Sequence, residues 1–159
     1  MYDKLIDELF FEIYLINNCY KDIQECIYDF YNNKQTKEIL CSAENEVIQC
    51  TIKNDLVNIP QVICIQFINY YYNQKSQNAE RVQFNLIINE EIHIESTIFS
   101  FKCALLHNGG RNSGHYQVLL KHKNNFYLYN DALVSKIDGF QYSDFNEKYE
   151  MIMYVQNQQ

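Results

Sequence analysis

The chain has 159 residues, 47% hydrophobic and 15% aromatic, which suffices for one folded domain and excludes a disordered segment. Its net charge of −7 argues against nucleic acid as a partner, because phosphate binding requires clustered lysine and arginine. No stretch has the roughly 18 consecutive apolar residues that span a bilayer, so no membrane partner is expected.

The N-terminal third of the chain combines helical and strand patterns. Apolar residues at helical spacing predict a short helix over residues 3–9, and a β-rich run predicts a strand over residues 10–16. A second helical pattern predicts a helix over residues 20–32, with Asn17 and Asn18 as candidate caps.

Beyond that helix the pattern is almost entirely that of β-strands. Strands are predicted near residues 37–41, 46–53, 60–70, 81–88, 91–95, 98–106, 115–121, 125–130 and 150–155. Two polar segments, 73–79 and 138–146, are predicted loops, and the second is expected to contain a turn of helix. The sequence therefore predicts an α+β fold, mainly antiparallel β-sheet with one or two N-terminal helices.

The cysteines do not have the spacing of a metal site. They are Cys19, Cys26, Cys41, Cys50, Cys64 and Cys103, and no two form a Cys-x-x-Cys pair. The start of the chain carries acids among its apolar residues, unlike a signal peptide, so we expect a cytoplasmic or nuclear protein with reduced thiols. We predict no metal and no cofactor.

A glycine-rich segment leads into the most informative motif of the chain. Gly114-His115-Tyr116 opens an apolar strand, a polar turn over residues 121–125 reverses the chain, and the returning strand ends at Asn130-Asp131. A hairpin with its bend near residue 123 brings its open ends together, so His115 is expected to lie across from residues 130–132. An imidazole beside a carboxamide or carboxylate is the orienting part of a cysteine-protease triad.

Four blocks of the sequence resemble the ubiquitin-specific proteases, a family of cysteine deubiquitinases. The run from Phe101 to Val134 resembles their histidine box, and Ile59 to Phe67 resembles the block that enters the palm. Arg81 to Leu86 is similar to the strand that follows, and Tyr20 to Ile27 to the helix before the fingers. The order of these blocks matches the C-terminal half of the family's catalytic domain.

The resemblance implies the palm half of a papain-like cysteine-protease fold. It implies one partial domain over residues 1–159, with a reduced pre-finger and finger-like region over 1–58 and a palm over 59–156. The implied activity is thiol-dependent hydrolysis of ubiquitin isopeptide bonds. The implied partners are ubiquitin or a ubiquitinated protein, and a missing N-terminal thumb segment.

The same resemblance assigns the site residues. His115 matches the catalytic histidine, and Asn130 with Asp131 matches the dipeptide that orients it; the alternatives are a structural histidine and a plain β-turn. The segment that would border the channel for the ubiquitin tail comprises His107, Gly109, Gly110, Gly114 and Tyr116.

No cysteine matches the family's nucleophile, which belongs to the thumb. Cys19 is the weak candidate in this chain, because Asn17-Asn18-Cys19-Tyr20 precedes a predicted helix, whose N-terminus would lower the pKa of a thiol. Cys26 is less favoured, since its spacing suits a helix core.

Three functions remain open from the sequence. The chain is part of a deubiquitinase that needs a thumb, a non-catalytic module that binds ubiquitin or another partner, or a minimal papain-like peptidase that uses Cys19. We predict that the isolated chain does not hydrolyse ubiquitin conjugates.

Overall fold

Strands dominate the described part of the chain, which in the computed structural model covers residues 11–14, 20–32, 35–41, 46–52, 58–82, 84–110 and 113–157. The elements are β1 (Phe11–Tyr14), α1 (Ile23–Asn32), β2 (Gln35–Cys41), β3 (Glu46–Ile52), β4 (Val62–Ile68), β5 (Tyr70–Asn73), β6 (Asn78–Arg81), β7 (Glu91–Ile94), β8 (Thr97–Gly110), β9 (Ser113–His122), β10 (Asn125–Asn130), β11 (Leu133–Ile137), a 3₁₀ helix (Tyr142–Lys148) and β12 (Tyr149–Gln156).

One sheet of eight strands forms the centre of the molecule. Its order is β1-β4-β12-β8-β9-β10-β11, with β7 paired to the first part of β8. Only β1, beside β4, runs parallel to its neighbour among the described strands. β2–β3 and β5–β6 form separate antiparallel hairpins. The α+β, mainly antiparallel fold predicted from the sequence is therefore confirmed.

Helix α1 begins later than predicted and has a different capping residue. The side chain of Asp22 accepts a hydrogen bond of 2.9 Å from the Glu25 amide, and the Glu25 carboxylate accepts one of 2.6 Å from the Lys21 amide. The prediction that Asn17 and Asn18 cap this helix was wrong, because Asp22 is the residue before the helix whose side chain accepts from an amide of the first turn. The predicted helix over 3–9 lies outside the described residues.

The core lies between α1 and one face of the sheet. Each central strand alternates buried and partly exposed side chains, so one face of the sheet is buried in the core. The fully buried side chains are Ile23, Ile63, Ile65, Phe67, Leu86, Ile92, Phe99, Leu106, Leu119, Tyr149, Ile152 and Tyr154. Within the described residues, no helix has the length and hydropathy of a membrane span.

The predicted strand over 81–88 is the clearest error. β6 ends at Arg81, and Ile87 makes only an isolated bridge with Asp22. Its amide and carbonyl bond to Lys21 and Ile23 at the start of α1 instead of to a strand. Leu86 and Ile88 are buried while Ile87 is exposed, so the alternation that suggested a strand reflects burial on one side of an extended segment.

Other boundaries differ because short hairpins interrupt the longer runs. The predicted strand over 60–70 divides into β4 and β5. The predicted loop over 73–79 comprises the last residue of β5, a tight turn and the first two residues of β6. Strand β11 was not predicted, since its side chains are nearly all exposed and give no apolar alternation. The helical turn expected within 138–146 is the 3₁₀ helix.

Candidate active site

The β9–β10 hairpin brings the histidine motif to the Asn-Asp motif. Lys123 and Asn124 form the turn, and Lys123 has a φ of 54°. Pairing continues along the hairpin as far as Tyr129 opposite Val118. The bend and the register are those predicted, and they place the start of β9 beside the end of β10.

At this open end, His115 is hydrogen-bonded to Asn130. Nε2 of His115 lies against Oδ1 of Asn130, while the nearest oxygen of Asp131 is 3.8 Å from the same nitrogen. The His115 side chain is 47% exposed and that of Asp131 is 82% exposed. Asn130 is therefore the direct partner of the ring, and Asp131 a solvated charge beside it.

The contact fixes which ring nitrogen is a base. A carboxamide oxygen only accepts hydrogen bonds, so Nε2 of His115 carries the proton that it donates to Asn130. In a neutral ring the other nitrogen, Nδ1, is then unprotonated and can accept a proton. The pair is thus a histidine base held in one tautomer by an amide.

Asp131 has a conformational task as well. Its φ of 54° is in the left-handed region, at the first position of the turn between β10 and β11. Asn and Asp adopt this conformation more readily than other residues with a Cβ. The turn-closing role that the sequence left open for Asn130-Asp131 therefore belongs to Asp131, while Asn130 makes the contact with histidine.

The glycine-rich segment forms the end of the β8–β9 hairpin. Gly109 pairs with Gly114, and Gly110 with Ser113, while residues 111–112 lie outside the described part. Gly109 has a φ of 139°, and a Cβ there would lie 2.5 Å from Gly114 Cα. The five predicted channel residues are thus brought together, and their contact with a ubiquitin tail stays a prediction.

His107 is the buried member of this group. It is only 4% exposed, and its ring stacks on Tyr116 with centroids 4.4 Å apart. A Cβ on Gly114 would lie 1.9 Å from Nε2 of His107, so the ring fills the space above that glycine. The outer partner, Tyr116, is 56% exposed.

Three residues that the sequence did not single out surround the other side of His107. Arg81 is paired with Glu150, and the hydroxyl of Tyr70 lies 3.5 Å from Nδ1 of His107. An acid within an apolar strand, as at Glu150, is the sequence signal that could have indicated such a partner, because a partly buried charge needs one.

Three of the described cysteines are poorly suited to act with His115. Burial raises the pKa of Cys26 from 9.0 to about 12, and burial also raises the pKa of Cys64 and Cys103. A raised pKa leaves little of the reactive thiolate. Cys103 pairs with Leu120, about 17 Å along β9 from His115 at the rise of an antiparallel strand. Cys19 lies outside the described residues.

The described residues contain no cluster of three or more His, Cys, Asp or Glu side chains that could hold a metal ion.

Comparison of the sequence with known protein families identifies one family. The model of the family "Ubiquitin carboxyl-terminal hydrolase" matches residues 10–154. Ubiquitin carboxyl-terminal hydrolase 48 of Danio rerio is 20% identical over 144 residues, covering 82% of this chain and 14% of that protein.

Solved structures of the SAGA DUB module, which contains Ubp8, Sgf11, Sus1 and Sgf73, share the fold. One with a serine-to-asparagine variant of Ubp8 has a TM-score of 0.71 at 17% identity, covering 95% of this chain and 36% of that chain. Another, with a cysteine-to-alanine variant bound to monoubiquitin, has a TM-score of 0.66 at 17% identity, covering 94% and 35%.

The chain thus spans about a third of the Ubp8 chains and a seventh of the zebrafish protein. The family model covers nearly all of it. The chain therefore belongs to the ubiquitin carboxyl-terminal hydrolase family, as the resemblance of its histidine box predicted.

Proposed function

We propose that this chain supplies the histidine and asparagine of a deubiquitinase active site, with ubiquitin as its partner. The observation that carries the proposal is the hydrogen bond between Nε2 of His115 and Oδ1 of Asn130 at the open end of the β9–β10 hairpin. That bond leaves Nδ1 of His115 as the base, at a partly exposed position that a thiol can approach.

The reaction in this proposal is hydrolysis of the isopeptide bond after ubiquitin's terminal glycine. Nδ1 of His115 removes the proton of a cysteine thiol, and the thiolate attacks the carbonyl carbon. The imidazolium then protonates the leaving amine, and Asn130 holds the ring in place. Water attacks the resulting thioester, with His115 again the base, and the thiol is regenerated.

Ubiquitin as the partner is supported by a relative with the same fold. The Ubp8 module bound to monoubiquitin resembles this chain over 94% of its length. The glycine-rich end of the β8–β9 hairpin adjoins His115, which suits a channel for a narrow peptide tail. Gly110 leaves its surroundings open, since a Cβ there would meet no atom within 4 Å.

The nucleophile is the missing part. β9 and β10 contain no cysteine, and burial disfavours the thiolates of Cys26, Cys64 and Cys103. We propose that the thiol comes from a thumb segment that is not part of these 159 residues. The isolated chain is then inactive toward a ubiquitin amide.

The direct test is to titrate ¹⁵N-labelled ubiquitin with the chain and follow the spectrum by NMR. We expect resonances of the ubiquitin C-terminal tail to shift, and Tyr116→Ala to reduce the shifts. Tyr28→Ala is the matched control, because Tyr28 is a tyrosine of similar exposure on α1. Absence of tail shifts at about 1 mM chain, where an interaction of about 4 kcal/mol is half saturated, contradicts the proposal.

A second experiment locates the nucleophile. The chain is incubated with ubiquitin carrying a C-terminal thiol-reactive electrophile, and its intact mass is measured by mass spectrometry. We expect no adduct, which agrees with a thumb-supplied thiol or a binding module. An adduct lost in both Cys19→Ala and His115→Ala makes the chain a minimal peptidase. Hydrolysis of a ubiquitin amide that survives Cys19→Ala contradicts the proposed inactivity and the minimal peptidase alike.

A further inference from the structure

A cluster of polar side chains from four strands lies beneath the glycine-rich end of the β8–β9 hairpin. It consists of Tyr70 on β5, Arg81 on β6, His107 on β8 and Glu150 on β12. Arg81 and Glu150 form an ion pair, and their side chains are only 18% and 19% exposed. Removing either partner of such a pair is destabilising, because the remaining charge would be poorly solvated.

The cluster surrounds one edge of the His107 ring. Arg81 donates a hydrogen bond of 2.9 Å to the backbone oxygen of His107, and its other terminal nitrogen lies 3.3 Å from Nδ1. Glu150 lies 3.4 Å from the same ring nitrogen. Because a guanidinium only donates, Nδ1 of His107 accepts from Arg81, while the Glu150 carboxylate neutralises the guanidinium.

Tyr70 completes the support. Its ring lies under the Arg81 guanidinium, 4.9 Å from centroid to carbon, and its hydroxyl donates to the backbone oxygen of Gly109 at 3.3 Å. The cluster therefore holds both the backbone of His107 and that of Gly109, two residues further along β8.

The opposite side of the His107 ring contacts the residues on either side of His115. Its Nε2 lies against the backbone of Gly114, and its face stacks on Tyr116. A side chain fixed by its partners transmits its position to the backbone that it packs against. A displacement of the His107 ring would therefore act on Gly114 and Tyr116, the two neighbours of His115 on β9.

We propose that Arg81 and Glu150 are positioning residues for His115, acting through His107, with Tyr70 as their support. The inference rests on the proposed function, in that it concerns the geometry of the same base. The ion pair holds the His107 ring against Gly114 and Tyr116, and thereby keeps Nε2 of His115 at hydrogen-bonding distance from Asn130.

The test reads the tautomer of His115 in the chain itself, using ring-¹⁵N-labelled histidine and NMR. In the parent we expect one tautomer, with the proton on Nε2. Glu150→Gln, Arg81→Lys and Tyr70→Phe are each expected to change this signature toward a mixture of tautomers. Glu90→Gln is the matched control, because Glu90 pairs with Lys121 on the same strand as His115 without touching the cluster.

Urea unfolding of each variant separates positioning from general stability. A variant that is less stable but folded, with the His115 signals of the parent, overturns the proposal. If Glu150→Gln does not fold, Tyr70→Phe decides the matter, since it removes one hydroxyl and keeps the ring. The readout involves no ubiquitin, so failure of ubiquitin binding and failure of this positioning role are seen separately.

Discussion

Asn130 and Asp131 are neighbours with different tasks at the open end of the β9–β10 hairpin. Asn130 accepts the hydrogen bond from His115, and Asp131 occupies the left-handed position of the next turn. We expect Asn130→Ala to release the ring into a mixture of tautomers, and Asp131→Asn to leave the Nε2 proton in place. Histidine ¹⁵N NMR measures both.

The cost to the fold is expected to be small in each case. The His115–Asn130 bond is partly exposed, so its loss costs about 0.5–1.5 kcal/mol in the free energy of unfolding. Asparagine at position 131 retains the tolerance for a positive φ. An equal loss of tautomer order in both variants would mean that the Asp131 carboxylate orients His115 as much as the Asn130 amide does.

Gly114 is required by close packing. An alanine Cβ there would lie 1.9 Å from Nε2 of His107 and 2.7 Å from the backbone oxygen of Asn108. The His107 ring cannot move away, because it stacks on Tyr116 and contacts Arg81. We therefore expect Gly114→Ala to lower the free energy of unfolding by about 1–3 kcal/mol in urea.

Gly110→Ala is the control for that substitution. A Cβ at Gly110 would meet nothing within 4 Å, so we expect a change within about 0.5 kcal/mol. If the two alanine variants were equally stable, the contact between Gly114 and His107 would not be a tight one.

Among the elements, α1 has a side-chain cap at its start. Asp22 accepts a hydrogen bond from the Glu25 amide, and Asn89 accepts one of 3.1 Å from the Gln24 amide. We expect Asp22→Ala to cost about 1 kcal/mol of stability and Asp22→Asn to restore most of it, because asparagine is also a good N-cap. Thermal or urea unfolding of the three proteins checks this, and a full loss in the asparagine variant would point to the charge instead.

Strand β8 is long enough to pair with three other strands and to form the glycine-rich end of the β8–β9 hairpin. Its first residues pair with β7, and its last eight, Cys103–Gly110, pair with β9, while β12 covers the other edge. The part of β8 up to Leu106 is paired with β12, and the hairpin end beyond it is paired with β9. The sequence pattern predicted only residues 98–106, since the glycines at its end carry no apolar alternation.

The whole molecule should lose stability at alkaline pH. Burial raises the pKa of Tyr142, Tyr149 and Tyr154 above the ordinary 10.0. The unfolded chain therefore releases these protons near pH 10, while the folded chain still holds them. Above that pH the unfolded state binds fewer protons, so the free energy of unfolding falls as pH rises.

Urea unfolding at about pH 8 and about pH 11, with tyrosine ionisation followed by ultraviolet absorbance, measures this loss. Each buried tyrosine contributes up to about 1.4 kcal/mol per pH unit. Tyr149→Phe should reduce the dependence, because Tyr149 is fully buried. A stability that does not change between the two pH values would contradict the effect.

The fold class, the family and the pair His115 and Asn130 could all be predicted from the sequence alone. These features depend on contacts that are local along the chain: a strand, a short turn and a returning strand place residues fifteen positions apart side by side. Alternation also indicated most strands of the sheet, because each has one face in the core.

The residues that lie behind that pair depend on contacts between distant parts of the chain. Arg81 and Glu150 are 69 residues apart in sequence, and they meet because β6 packs beneath the end of β8 while β12 pairs with it. The same kind of long-range contact made 84–90 an extended segment at the start of α1 instead of a strand. Periodicity reports whether a side chain is buried, but not which distant element covers it, so the partners of His107 could be found only in the folded molecule.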